Sequence, residues 1–183
     1  AGVTYTLTGH SERRHKVAHE SRELVAEKTF NAIEAGMTVV LCIGEKLEDR
    51  ELGNTLSLLQ QQLAPVFETL KPEHYEKLVI AYEPVWAIGT GVTASPEQAQ
   101  EAHQSLRKLI AEAVHPDVAQ AIRIIYGGSV KPHNAAELFK GPDIDGFLVG
   151  GASLKPSFVE IIAAAAPQPA VEAEASTTTA TTE

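Results

Sequence analysis

Five short runs of apolar and β-branched residues, "VTYTLT" (3–8), "TVVLC" (38–42), "KLVIAY" (77–82), "IRIIY" (122–126) and "GFLVG" (146–150), alternate in regular order with longer amphipathic stretches. Parallel strands need a crossover of a dozen or more residues between them, and amphipathic helices supply it. The alternation therefore predicts an α/β chain with a parallel sheet and helices packed outside it.

The helical stretches carry their own boundaries. "SRELVAEKTFNAIEAG" opens on Ser21 as N-cap, has Glu23 in its first turn and stops at Gly36, so Leu24, Val25, Ala32 and Ile33 are expected to face the sheet. "LGNTLSLLQQQLAPVFETL" predicts a second helix that ends or kinks near Pro65. "SPEQAQEAHQSLRKLIAEAV" predicts a third, with Ser95 as N-cap and Pro96 at the first helical position; two shorter helices are expected around 132–140 and 156–165. Residues 166–183 lack apolar periodicity and consist largely of Ala, Thr, Pro and Glu, so 1–165 is expected to form the folded unit and 166–183 a disordered tail.

Composition narrows the partners. At 183 residues and 44% hydrophobic the chain has room for a sizeable core, and no apolar run reaches the roughly 20 residues a membrane-spanning helix requires. A formal charge of −9 argues against nucleic acid, whose phosphates are held by clustered Lys and Arg. The single cysteine, Cys42, excludes an internal disulfide and a cysteine-rich zinc site; it reads as a small buried residue in a reducing compartment, and a cytoplasmic location is expected. The chain starts at Ala1, almost at once inside a strand-like run, so the expectation is that a front portion, and with it any targeting segment, lies outside it.

The loops after these runs leave the C-terminal ends of strands, where open α/β sheets and barrels alike place their ligand chemistry. "GHSERR" (9–14) puts His10 and Glu12 after the first strand, either as acid/base machinery or as a solvated polar loop. In "AYEPVWAIGTG" (81–91), Glu83 is either a base whose pKa is raised by burial against Tyr82 or Trp86, or a strand-end carboxylate salt-bridged to Arg13 or Arg14. The glycines that follow suit a mobile lid tip or an ordinary turn. "YGGSV" (126–130) and "VGGAS" (149–153) place paired glycines directly after strands, which lets backbone N–H groups approach an anion; a tight βα turn is the plainer reading of each alone, but two such pairs in the last two βα units form the arrangement of a barrel phosphate site. His15, His19, His74, His103, His115 and His133 show no metal-ligand spacing and are expected to be structural or solvated.

Taken together, "GHSERR", "CIGE" (42–45), "AYEPVWAIGTG", "YGGSV" and "FLVGGASL" (147–154), in this order and spacing, closely resemble the triosephosphate isomerase family. The resemblance runs from the first residues to about Ala165. It implies a (β/α)8 TIM barrel truncated here to about five βα units, the fourth to eighth strands of the eight. It further implies interconversion of dihydroxyacetone phosphate and D-glyceraldehyde 3-phosphate through an enediol(ate), in glycolysis and gluconeogenesis, without cofactor or metal. By the same resemblance Glu83 matches the base, His10 the neutral electrophile and Glu12 the supporting acid. Gly89, Ser129, Gly150 and Gly151 match the main-chain phosphate ligands, residues 84–94 the lid, and Tyr126 and Ser129 the residues that latch it. The expected partner is a small phosphorylated triose, with no nucleic acid and no membrane, and the full-length protein is expected to be a homodimer. The family's first-strand Asn-x-Lys has no counterpart, since neither Asn31, Asn54 nor Asn134 has a Lys two residues on. The loop after the third strand, through which the family dimerises, is missing as well. The chain alone is therefore expected to have low or no activity. A different sugar-phosphate barrel enzyme and a non-catalytic fragment are the competing readings.

Overall fold

The computed structural model describes residues 2–88, 90 and 92–166. Four parallel strands, β1 (Tyr5–Thr8), β2 (Thr38–Ile43), β3 (Leu78–Tyr82) and β4 (Arg123–Tyr126), lie side by side in chain order. Each step between them crosses through helix, as the alternation predicted. Helix α1 (Arg22–Glu34) joins β1 to β2; α2 (Leu47–Glu51) and α3 (Thr55–Thr69) join β2 to β3; α4 (Pro96–Ala113) and α5 (Pro116–Ala121) join β3 to β4. Helices α6 (Pro132–Leu138) and α7 (Phe158–Ala164) follow.

The register sets the site. Thr8 pairs with Leu41, Ile43 with Tyr82, and Tyr82 with Tyr126, so successive loops leave one edge of the sheet. Strand β3 is buried at every position and anchors the core with Ile43, Leu63, Leu106, Ile110 and Ile124. Burial of such side chains contributes about 1.5–3 kcal/mol each. At β1 the picture reverses: Val3, Tyr5 and Leu7 are exposed, because no strand covers that edge of the sheet among the described residues.

Three local expectations are corrected. The fifth strand, expected at 146–150, is reduced to a parallel bridge between Phe147 and Tyr126, held by Leu148 N–H donating to Tyr126 O (2.9 Å). With a neighbour on one side only, this glycine-flanked run makes too few ladder bonds to extend. The second helix neither ends nor shows a break at Pro65: α3 runs on to Thr69, with buried Leu63 and Val66 on either side of the proline keeping the last turn on the core. Leu24 is exposed rather than facing the sheet, whereas Val25 and Ile33 are buried as expected. The capping signals hold, since Ser21 Oγ accepts from Leu24 N–H and Ser95 forms a reciprocal capping box with Gln98.

Candidate active site

Gly9 turns the chain out of β1 at φ +67°, and a Cβ there would lie 2.6 Å from Arg14 Nη2 and 2.9 Å from Val25 Cγ1. Only glycine fits both the conformation and the space. The buried Arg14 guanidinium then holds the loop down, donating from Nε to Gly9 O (2.7 Å) and from Nη2 to Cys42 O (3.1 Å). His10 follows at once and is aimed across the sheet edge.

Glu83 is the first residue beyond β3, and its N–H donates to Ile43 O at 2.7 Å. Its carboxylate is buried at 2% exposure yet lies in the cleft wall, with Oε1 3.1 Å from His10 Nε2 and Oε2 accepting the Ser11 N–H at 3.2 Å. Its partner is therefore His10 rather than Arg13 or Arg14: Arg13 pairs with buried Glu20 at 2.6 Å, and Arg14 is committed to carbonyls. The polar tips of Tyr82 and Trp86 are engaged elsewhere. Both donate, at 3.0 Å, to Oε1 of Glu45, a wholly buried carboxylate that Arg50 approaches at 3.6 Å while lying over the Trp86 ring.

The His10 ring has two different neighbours. Nδ1 accepts the Glu12 N–H at 3.3 Å, which leaves the proton of the neutral ring on Nε2, facing Glu83. The Glu83 hydrogen bond raises the His10 pKa above 6.5, and burial opposes it. Glu12 thus reaches the ring through its main chain; its carboxylate is exposed and pairs with Lys16 at 3.7 Å.

Gly127 begins the next loop, its N–H donating to Tyr82 O at 2.7 Å. A Cβ at this position would come within 2.9 Å of Glu83 Cγ, so the glycine makes room for the carboxylate. Beyond it, a cleft of about 580 Å³ is lined by His10, Glu83, Ser129, Gly150 and Gly151, which is ample for a small ligand. The N–H groups of Ser129, Gly150 and Gly151 donate to no other described residue, although neighbouring Val130 and Ser153 do. The two glycine-containing turns therefore line one cavity with amides that have no acceptor among the described residues. Gly89, the remaining expected phosphate ligand, lies outside the described residues.

Around the expected lid, Pro84 leads into a 3-10 turn over Val85–Ala87, whose Val85 N–H donates to Glu45 O at 2.9 Å. Tyr126 Oη is buried without a hydrogen-bond partner among the described residues, and burial pushes its pKa up to about 12. Sequence reasoning missed the Ser11 N–H and Glu45. Glu45 stands inside the "CIGE" motif, but nothing along the chain announces that two aromatic donors and an arginine converge on it. Among the described residues there is no cluster of three metal-ligating side chains, and no helix is long and apolar enough to cross a membrane.

The model of the family described as triosephosphate isomerase matches residues 1–165. A triosephosphate isomerase of Paracoccidioides lutzii is 56% identical over 160 residues, 87% of this chain and 64% of that protein. One from Coprinopsis cinerea is 55% identical over 162 residues, 88% of this chain and 64% of that protein. A protein named as glycosomal triosephosphate isomerase from Trypanosoma cruzi is 52% identical over 163 residues, 89% of this chain and 64% of that protein. The chain thus spans about 64% of the length of these curated relatives.

Proposed function

Because the chain belongs to the triosephosphate isomerase family, we propose that it carries the acid/base and phosphate-binding portion of an enzyme interconverting dihydroxyacetone phosphate and D-glyceraldehyde 3-phosphate. The observation that carries this reading is the Glu83–His10 pair, 3.1 Å apart, in one cleft with the unpaired amides of Ser129, Gly150 and Gly151.

In the proposed reaction a bound triose phosphate comes between the two side chains. A Glu83 carboxylate oxygen removes a proton from the carbon beside the carbonyl, and His10 Nε2–H hydrogen-bonds the carbonyl oxygen as negative charge develops there. His10 Nε2 gives its proton to the former carbonyl oxygen and takes up the hydroxyl proton of the adjacent carbon, so that when Glu83 returns its proton to the former carbonyl carbon the carbonyl has moved to its neighbour and ketose becomes aldose with no net change in atoms. Burial keeps water from the carboxylate, and the Glu12 N–H holds the ring in the tautomer that points its proton inward. Glu12 supports the histidine through that main-chain bond. The free amides, with Gly89, hold the phosphate away from the proton transfer, and residues 84–94 close over it, this family being the usual illustration of such a lid.

On this reading residues 1–165 are the fourth to eighth βα units of a barrel, 166–183 a tail, and the exposed apolar edge of β1 is where the preceding units pair. The completed protein works as a cytoplasmic homodimer in glycolysis and gluconeogenesis. The test is to measure triose phosphate isomerisation by this chain alone and with an N-terminal segment bearing the three preceding βα units and an Asn-x-Lys first strand. Turnover is expected from the completed barrel and is lost in Glu83→Gln. A folded, completed barrel that binds phosphate yet shows no turnover would assign the chain to a non-catalytic role.

A further inference from the structure

The cleft has an electrostatic polarity that the two catalytic side chains and the main-chain amides do not account for. Lys131 and Lys155 both line it, together with Ser129, Gly150 and Gly151. Both are exposed, and among the described residues neither forms an ion pair, whereas Lys16, Lys28 and Lys140 do. Each stands close in sequence to a free amide: Lys131 is two residues beyond Ser129, and Lys155 is four beyond Gly151.

Their placement is built into the turns. Asn134 Oδ1 accepts the Lys131 N–H at 2.8 Å while its Nδ2 donates to Ser129 O at 2.9 Å, so one side chain fixes the backbone between the amide and the lysine. Lys155 closes the 3-10 turn Gly151–Leu154, its N–H donating to Ala152 O at 3.2 Å. In a chain of formal charge −9, a phosphate dianion is repelled by the molecule as a whole and needs a local positive field to enter. Neutral amides supply directed donors but no net charge.

We propose that Lys131 and Lys155 are the cationic rim of the phosphate subsite, drawing a phosphorylated substrate in and turning its anionic end away from the Glu83 carboxylate. This rests on the isomerase reading above for the position of the phosphate. Because both ammonium groups are solvated, each acts as a screened charge and not as a buried ligand. Their loss should weaken binding roughly three- to tenfold together, and chiefly at low salt.

The test titrates the full chain with inorganic phosphate and follows the amide resonances of Ser129, Gly150 and Gly151 by NMR at two ionic strengths. The unmodified chain should show saturable shifts that weaken with salt. Lys131→Met combined with Lys155→Met should weaken binding by the stated factor and flatten its salt dependence, while the Arg pair at the same positions restores both. Lys108→Met, a neutralisation on the exposed face of α4, should leave binding unchanged. If the double Met variant, with unaltered far-UV circular dichroism, binds phosphate with the original affinity and salt dependence, the lysine assignment is overturned and the amide site stands. If no saturable response occurs at these amides in the unmodified chain, the phosphate-site reading itself falls, and this inference with it.

Discussion

His10 Nε2 and Glu83 Oε1 face each other at 3.1 Å across the C-terminal ends of β1 and β3, two strands separated in the sheet by β2. The pair is held from both sides, the ring by the Glu12 N–H and the carboxylate by the Ser11 N–H. Since the Glu83 hydrogen bond is the main cause that raises the His10 pKa, replacing the acceptor removes the support for the imidazolium. Glu83→Gln should therefore lower the His10 pKa, read from its ring-proton titration by NMR. An unchanged titration would mean that the pair does not exist in solution.

Gly127→Ala probes the same pair from behind. Its Cβ would lie 2.9 Å from Glu83 Cγ and 3.4 Å from Tyr82 O, so the Glu83 side chain must shift, and a shift away from His10 is expected. A cost of about 1–3 kcal/mol is expected from overpacking. The diagnostic result is a fall in the His10 pKa alongside the lower urea midpoint. A stability loss with the His10 titration unmoved would show that the side chain escapes in another direction.

How far this site was legible in the chain depends on what each feature requires. The βα alternation and the positions of His10 and Glu83 follow from local pattern and motif, because strand ends and glycine turns are written in a few adjacent residues. The partner of Glu83 was not legible: Arg13 and Arg14 are nearer His10 in sequence than Glu83 is, yet the turn after Gly9 directs Arg14 to carbonyls and Arg13 to Glu20. Pro65 illustrates the reverse error, a strong local signal overruled by packing on both sides of it. The weak fifth strand has a similar origin, since ladder length depends on neighbours and not on the apolar run alone.

Glu45 ties the start of the expected lid to the loop after β2. Replacing it with Ala leaves the Tyr82 hydroxyl and Trp86 indole N–H without their acceptor, and an unsatisfied buried donor costs about 1–3 kcal/mol. Glu45→Ala should destabilise by about 2–4 kcal/mol in urea titrations. Trp86→Phe removes one donor and should cost less. An equal loss in both variants would place the effect in the packing of the Trp86 ring instead of in its hydrogen bond.

Cys42 tests whether the sheet is closed over in solution. The thiol is fully buried in β2, and burial, reinforced by Glu83, raises its pKa well above the ordinary value. Neither access nor thiolate is available in the folded chain. A thiol reagent at neutral pH should label it only after denaturant is added, at a rate that tracks unfolding. Rapid labelling in native buffer would show that the exposed β1 edge lets the sheet open.

His103 gives the fold its acid sensitivity. It is wholly buried in α4, in contact with the Tyr82 and Tyr126 rings, with Nδ1 3.1 Å from Asp143 O and Nε2 unpartnered. Burial lowers its pKa to about 4, against 6.5 for the ordinary residue. The sign follows from which state binds the proton: between these two values the unfolded chain is protonated and the folded chain is not. Stability is therefore fully present above pH 6.5 and declines as the pH falls toward about 4, by up to about 3 kcal/mol from this residue. His103→Gln keeps a polar side chain but cannot titrate. Whatever its stability at pH 7, its urea midpoint should fall less than that of the unmodified chain between pH 7 and pH 4.5. Parallel losses in the two proteins would assign the acid sensitivity to other groups.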